Sequence, residues 1–394
     1  MTRVARLSAF HVRIPLKTTI RHASHARRST DSIIVRCELT DGTTGWGEGL
    51  PREYVTGETI DAAFPMLRDT PLKEQLGAEF QSLNDAIDIC EQLRLTRPAD
   101  DPRDCFGNSI RCAVELSVLD AAGRHFEQPL SDVTRLYGPA AGIRQQQERV
   151  RYSAVITSSS ARKQWLKSWL IRLHGFHQTK VKVGTQGIDD EETLRRVRGI
   201  LGEEIDVRLD ANEAWSCENL ELKLAPLLPF GISSVEQPVP HEDVRGLSDL
   251  RDRLSVPIMH DESLCSLEDA RHAIEYGTCD LFNIRLSKCG GLLPSLQIAA
   301  AAHQAGLGYQ LGCQVGETGI LSAAGRHFAT SVADIRYLEG SYDRFLVRER
   351  LTCENLTFGR CGYAPAITAP GLGVQVDEQR LQNVTIDRME VSIS

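Results

Sequence analysis

Eight short apolar runs between residues 152 and 338 alternate with helical patterns, and four successive runs end on charged residues. These observations predict an α/β fold: a modified TIM (β/α)7β-type barrel over residues 141–340. An α+β domain from residues 1–140, joined by the tail 341–394, completes the prediction. Alternating strand and helix units imply a parallel sheet, and eight in succession imply that it closes.

The bulk numbers agree. A chain of 394 residues exceeds what one small core needs. It is 41% hydrophobic and 25% charged, which suits a soluble globular protein. The net charge of −8 comes with no basic stripe, which excludes a nucleic-acid footprint. No apolar run approaches the roughly 18 residues that span a bilayer. The eleven cysteines are dispersed singly, without a Cys-x-x-Cys pair. That pattern predicts reduced thiols in a cytoplasmic protein.

Taken in order, Val4 to Ile14 and Ser32 to Leu39 alternate apolar and polar residues and read as strands. The first is not a signal peptide. Asp41-Gly42 marks a turn. Between the strands, the stretch from Thr18 to Ser29 is polar and basic, with Arg21, His22, His25, Arg27 and Arg28, and reads as a loop. It is either a plain connection or a lid that binds an anionic substrate group. The loop from Pro51 to Thr59, with Tyr54, carries the same two readings. Leu83 to Leu95 and Ser109 to Phe126 show helical spacing, with Asn108 or Ser109 as candidate cap. Pro129 to Gly142 is a candidate boundary.

The eight barrel runs are Tyr152–Ile156, Thr179–Val183, Val207–Leu209, Ile232–Val235, Pro257–Met259, Leu281–Leu286, Gly308–Leu311 and Ile335–Leu338. Asp189–Leu201, Leu220–Leu228, Leu267–Tyr276 and Leu293–Ala305 supply helices between them. In the tail, Gly371 to Val376 reads as a turn then a strand.

Catalytic groups of such barrels sit at the C-terminal strand ends. Lys182, Asp210, Glu236 and Asp261 fall there, on runs two to five. Three neighbouring carboxylates repel one another unless a cation joins them. Oxygen-only donors favour a hard ion, Mg²⁺, with Mn²⁺ as a substitute. Lys180 and Lys182 are two apart and share one strand face. Two ammonium groups that close are expected to depress each other's pKa, preparing Lys182 as a base. A metal beside a lysine base suits removal of a proton α to a carboxylate, with the enediolate stabilised by the ion.

The motifs Gly45-Trp46-Gly47-Glu48, Val55-Thr56-Gly57-Glu58-Thr59, Lys180-Val181-Lys182, Asp210-Ala211-Asn212, Val235-Glu236-Gln237-Pro238, Asp261-Glu262-Ser263 and Pro370-Gly371-Leu372-Gly373 carry a resemblance. The chain resembles the enolase superfamily, in particular the muconate-lactonizing-enzyme-like subgroup of the mandelate racemase family. That superfamily is itself a standard illustration of metal-assisted proton abstraction by a lysine. The resemblance implies that the α+β part is a capping domain completed by the tail. It implies Mg²⁺ on Asp210, Glu236 and Asp261, with Lys182 as acid/base and Lys180 assisting. Asn212, Asn283 and Glu317 would support the substrate or the metal. It also implies a small-molecule carboxylate substrate and a homo-oligomer.

One departure matters. The subgroup pattern Asn-Ile-Lys-Leu-x-Lys-x-Gly-Gly is here Asn283-Ile284-Arg285-Leu286-Ser287-Lys288-Cys289-Gly290-Gly291. Arg285 takes the second lysine's place, and Lys288 is expected in the loop beyond. Arginine stays protonated and is a poor base. The expectation is therefore a one-base cycloisomerase or syn-dehydratase, a lyase-type reaction on a small carboxylic acid. The alternatives are a racemase or epimerase of an amino acid derivative or dipeptide, with Arg285 as second acid/base, and a non-catalytic relative.

Overall fold

The computed structural model describes residues 1–21, 26–157 and 160–393. Three strands open the chain: β1 (Val4–Arg21), β2 (Ala26–Leu39) and β3 (Thr44–Gly49). β1 and β2 form one long antiparallel hairpin, in which Phe10 faces Ile34 and, past an irregularity after Pro15, Arg21 faces Ala26. The expected Thr18–Ser29 loop is thus mostly a continuation of this ribbon. Polar composition concealed it, because a two-stranded extension with both faces wet needs no apolar alternation. His22 and His25 lie outside the described residues, and only the backbone of Arg21 is placed.

β3 packs on the helix Asn108–His125. A side chain on Gly47 would place its Cβ 2.0 Å from Ala113 O, and one on Gly45 would come 2.1 Å from Ala121 N. Alternate residues of a strand share a face, so glycine at 45, 47 and 49 lets the helix backbone press against the strand. The opposite face carries Glu48, which accepts from the Thr318 and Leu321 backbone N–H groups and the Thr318 hydroxyl. It thereby caps the barrel helix Gly319–Ser331. The expected cap at Asn108 or Ser109 is absent. Gly107, at φ +91°, holds the N-cap, and Glu58 accepts from the Ser109 N–H and hydroxyl instead. Burial pushes Glu48 and Glu58 each up to about 7.

β4 (Arg149–Arg151), just before the barrel, pairs with β13 (Tyr363–Pro365), which follows it. The parallel strands follow in sequence order: β5 (Ala154–Ile156), β6 (Gln178–Lys182), β7 (Asp206–Asp210), β8 (Ile232–Glu236), β9 (Ile258–His260), β10 (Leu281–Ile284), β11 (Gly308–Leu311) and β12 (Ile335–Leu338). Each falls on one of the eight predicted runs. The Ser153 N–H donates to Leu338 O at 2.8 Å, drawing the first and last edges together. The expected strand after Gly371 is absent; Gly371 and Val376 make isolated bridges to Pro129 and Thr352. The tail's strand is β14 (Thr385–Ser392), antiparallel to β1. Among the described residues no helix is long and apolar enough to cross a membrane.

Candidate active site

Register fixes the strand ends at one level. Lys182 pairs with Asp210 across β6 and β7, and Asp210 pairs with Glu236 across β7 and β8. Asp261 follows β9 directly. All three carboxylates are buried, at 2%, 0% and 0% exposure.

Lys180 sits among carboxylates, its Nζ 3.1 Å from Asp210 Oδ2, 3.2 Å from Glu236 Oε2 and 3.0 Å from Glu339 Oε1. Burial opposes its charge, but the three anions outweigh burial and hold the ammonium above the usual lysine range. The expectation that the two lysines depress each other therefore fails for Lys180. Lys182 points elsewhere, donating to Asn212 Oδ1 at 2.5 Å. Asn212 itself adopts φ +43° and donates its N–H to Asp210 Oδ1.

Arg285, just past β10, contacts Asp261 Oδ2 and lies 3.9 Å from Glu236 Oε1. It is inside the site, as parity predicts. Lys288 is in the following turn, yet its ammonium returns to the site. It is fully buried and donates to Asp261 O (2.6 Å), Asp261 Oδ1 (2.9 Å) and Asn283 O (2.9 Å). Strand parity does not reach across a turn, so it puts Lys288 in the loop without showing that the ammonium folds back to Asp261. Asn283 Nδ2 donates to Glu236 Oε1 at 2.7 Å. Glu317 accepts from the Gln314 N–H at 2.6 Å, and burial pushes it up to about 8 despite nearby Arg285 and Arg52.

Four further residues escape the sequence reading. Glu339 directly follows β12, so the strand-end rule would have named it. Arg208, fully buried two residues before Asp210, contacts Glu339, donates to Ser153 Oγ at 3.0 Å and stacks on Tyr337 at 4.5 Å. Gln237 Oε1 accepts from the Asp261 N–H (2.9 Å) and from the Ser263 N–H and hydroxyl, fixing the Asp261 turn. Arg52 joins hairpin to barrel, donating to Thr30 Oγ1 and Val315 O. Tyr54, in the short helix Glu53–Thr56, lies under the Arg27 guanidinium at 5.0 Å, so the two expected lid pieces touch.

The buried carboxylates offer oxygen donors alone, and basic side chains bridge them. This donor set fits a hard divalent ion. A second cluster, Glu213, His241 and Glu242, brings its ligand atoms within 4.8 Å on the loops after β7 and β8. It is half-exposed, and His241 is already satisfied by the two glutamates at 2.7 and 3.2 Å. The buried set is the stronger candidate, because its carboxylates are buried and converge at the ends of adjacent barrel strands.

Residues 164–380, more than half the chain, match the family model described as Enolase C-terminal domain-like. The chain belongs to the enolase superfamily. It is 26% identical to an N-succinyl-L-Arg/Lys racemase of Bacillus cereus over 98% of both chains. It is 31% identical to a D-Ala-D/L-Ala epimerase of Cytophaga hutchinsonii, over 76% of this chain and 75% of that one. Among solved structures, the dipeptide epimerase from Enterococcus faecalis, complexed with Mg and the dipeptide L-Leu-L-Tyr, is 26% identical. Its TM-score is 0.81, and the match covers 95% of this chain and 99% of that one. These superfamily relatives are racemases and epimerases, so the expected cycloisomerase or dehydratase reaction finds no support among them.

Proposed function

We propose that this protein is a Mg²⁺-dependent racemase or epimerase that inverts the α-carbon of an N-acyl amino acid or a dipeptide. The near full-length similarity to a racemase carries the reading. The placing of Lys182 and Arg285 at different strand ends around the carboxylates supports it.

Asp210, Glu236 and Asp261 would hold the ion, with Mn²⁺ able to replace Mg²⁺. When bound, it supplies Lewis-acid stabilisation of the substrate carboxylate. The chain's own residues do the rest. Asn283 orients Glu236, while Lys288 and Gln237 orient Asp261. Lys182 removes or returns the α-proton on one face, held towards the substrate by Asn212. Arg285 gives a proton on the other face and regains it from solvent. In the reverse sense Arg285 must first lose a proton, which a guanidinium does poorly. The site is therefore asymmetric: α-proton exchange at the Lys182 face outpaces inversion.

The test is NMR of the α-proton in deuterated water. N-succinyl amino acids and dipeptides are supplied in both configurations, with Mg²⁺ and with chelator. Mg²⁺-dependent deuteration, faster than inversion for one enantiomer, is expected. A chain that exchanges none of these substrates is not the enzyme proposed.

A further inference from the structure

The helix Ala161–His174 is built inside out. Its buried positions include Gln164 and Ser168, at 2% and 0% exposure, alongside Ile171. Gln164 bonds the neighbouring helix Asp190–Leu201, donating to Thr193 Oγ1 at 3.3 Å and accepting from Arg196 at 2.6 Å. The outward face carries the large apolar residues: Trp165 and Leu166 are 51% exposed, Trp169 37%, Leu170 57% and Leu173 72%. Amphipathic helices on a domain surface turn the apolar stripe inwards. Here polar residues dock the helix, and the apolar stripe faces out.

We infer that this face is an interface between two copies of the chain. At roughly 200 Å² per large side chain, half-exposed on average, the five residues present roughly 500 Å² of apolar surface. That matches the apolar share of the roughly 800 Å² that each partner buries in a standard interface. The spacing also suits a two-fold axis. Trp165 and Leu173 lie four residues either side of Trp169, so a crossing centred on Trp169 sets each against its counterpart's opposite end. The tryptophans are preset, their rings edge to face at 6.4 Å. Charge selects the geometry. The helix carries Arg162 and Lys163 near one end, Arg172 near the other, Lys167 between them, donating to Thr157 Oγ1 at 3.4 Å, and no acid. Two such helices must cross at an angle, so that their basic ends diverge into solvent while the centres meet.

Sedimentation velocity of the full chain across the micromolar range tests this. The wild type is expected to be dimeric or larger, with association that salt strengthens by screening the basic ends. Trp169→Glu should weaken association about thirtyfold, as for loss of a central aromatic anchor. Leu173→Gln, at the most exposed position, should weaken it without touching the fold, and thermal melts of both variants check that. A monomeric wild type, or variants that associate as tightly as wild type, overturns the inference. So does a wild type that binds anionic phosphatidylglycerol vesicles in a salt-weakened way while remaining monomeric.

Discussion

His327 offers a quantitative test of how tail, cap and barrel are held together. It is fully buried in the helix Gly319–Ser331. Its Nδ1 accepts the Ser131 N–H at 3.1 Å, so the proton sits on Nε2, which donates to Leu372 O at 3.1 Å. Protonating Nδ1 would destroy the first bond and bury a charge. Burial, followed by Arg326, lowers the folded pKa from 6.5 to about 4, although Leu372 and Asp132 oppose it. A lowered folded pKa means that the stabilisation is present above the unfolded pKa and is lost as pH falls through the folded one. Linkage puts the loss at about 2 kcal/mol by pH 5 and about 3 kcal/mol by pH 4. The perturbation is His327→Asn, which keeps an acceptor for Ser131 but cannot titrate. Urea unfolding at several pH values between 7.5 and 4 gives each slope. The variant should be less stable at pH 7.5 yet lose about 3 kcal/mol less on acidification. Parallel curves for both proteins would show that His327 does not titrate as its surroundings dictate.

Further outcomes follow from the site and its scaffold. Lys182→Ala should abolish α-deuteration of both enantiomers, whereas Arg285→Lys should raise inversion relative to exchange. Lysine lies about two pKa units below arginine, which implies a gain of up to about a hundredfold, read in the same NMR assay. Glu339→Gln leaves Lys180 to Asp210 and Glu236 alone and removes one anion. Calorimetry should then show Mg²⁺ binding weakened by about tenfold or more, since nearby unit charges are worth a few kcal/mol at an effective dielectric of about 20. Glu58→Ala strands the Ser109 N–H and hydroxyl inside the protein and leaves the Thr56 hydroxyl only its 3.4 Å bond to Arg52 O. A loss of about 3 kcal/mol in chemical denaturation is expected.

The barrel was legible because each strand is a short apolar run bounded by turn residues, a purely local signal. Arg285 could be placed from parity for the same reason. What was not legible depends on long-range placement. Lys288 reaches Asp261 by folding back through a turn, and Lys180 meets Glu339 only because the curled sheet brings the end of β12 round to the β5 edge, one strand from β6. Glu48 and Glu58 read locally as motif residues, but each caps a helix remote in sequence. The pKa expectation for Lys180 failed for the same reason. It considered the neighbour two residues away and omitted three anions on other strands.

The charge balance of the site says what a ligand must be. Asp210, Glu236, Asp261 and Glu339 are four buried anions; Lys180, Arg208, Lys288 and the nearly buried Arg285 are four cations in contact with them. Lys182, partnered by the neutral Asn212, stands outside this balance. Burial pushes Glu262 and Glu317 each up to about 8, so neither adds a full charge near neutral pH. The core of the site is thus near neutral before any ion enters. A divalent ion would leave a surplus of two positive charges in a desolvated cavity, which is costly. A carboxylate ligand reduces that surplus, and the further negative charge that develops when the α-proton leaves reduces it again. Mg²⁺ and a carboxylate substrate should therefore tighten each other's binding by the same factor, as linkage requires. Calorimetry on Lys182→Ala, where turnover is blocked, can measure both factors. An N-acyl amino acid should raise Mg²⁺ affinity, whereas its neutral methyl ester should not. Equal enhancement by acid and ester would mean that the ion does not meet the substrate carboxylate, and the assignment of Asp210, Glu236 and Asp261 as its ligands would fall with it.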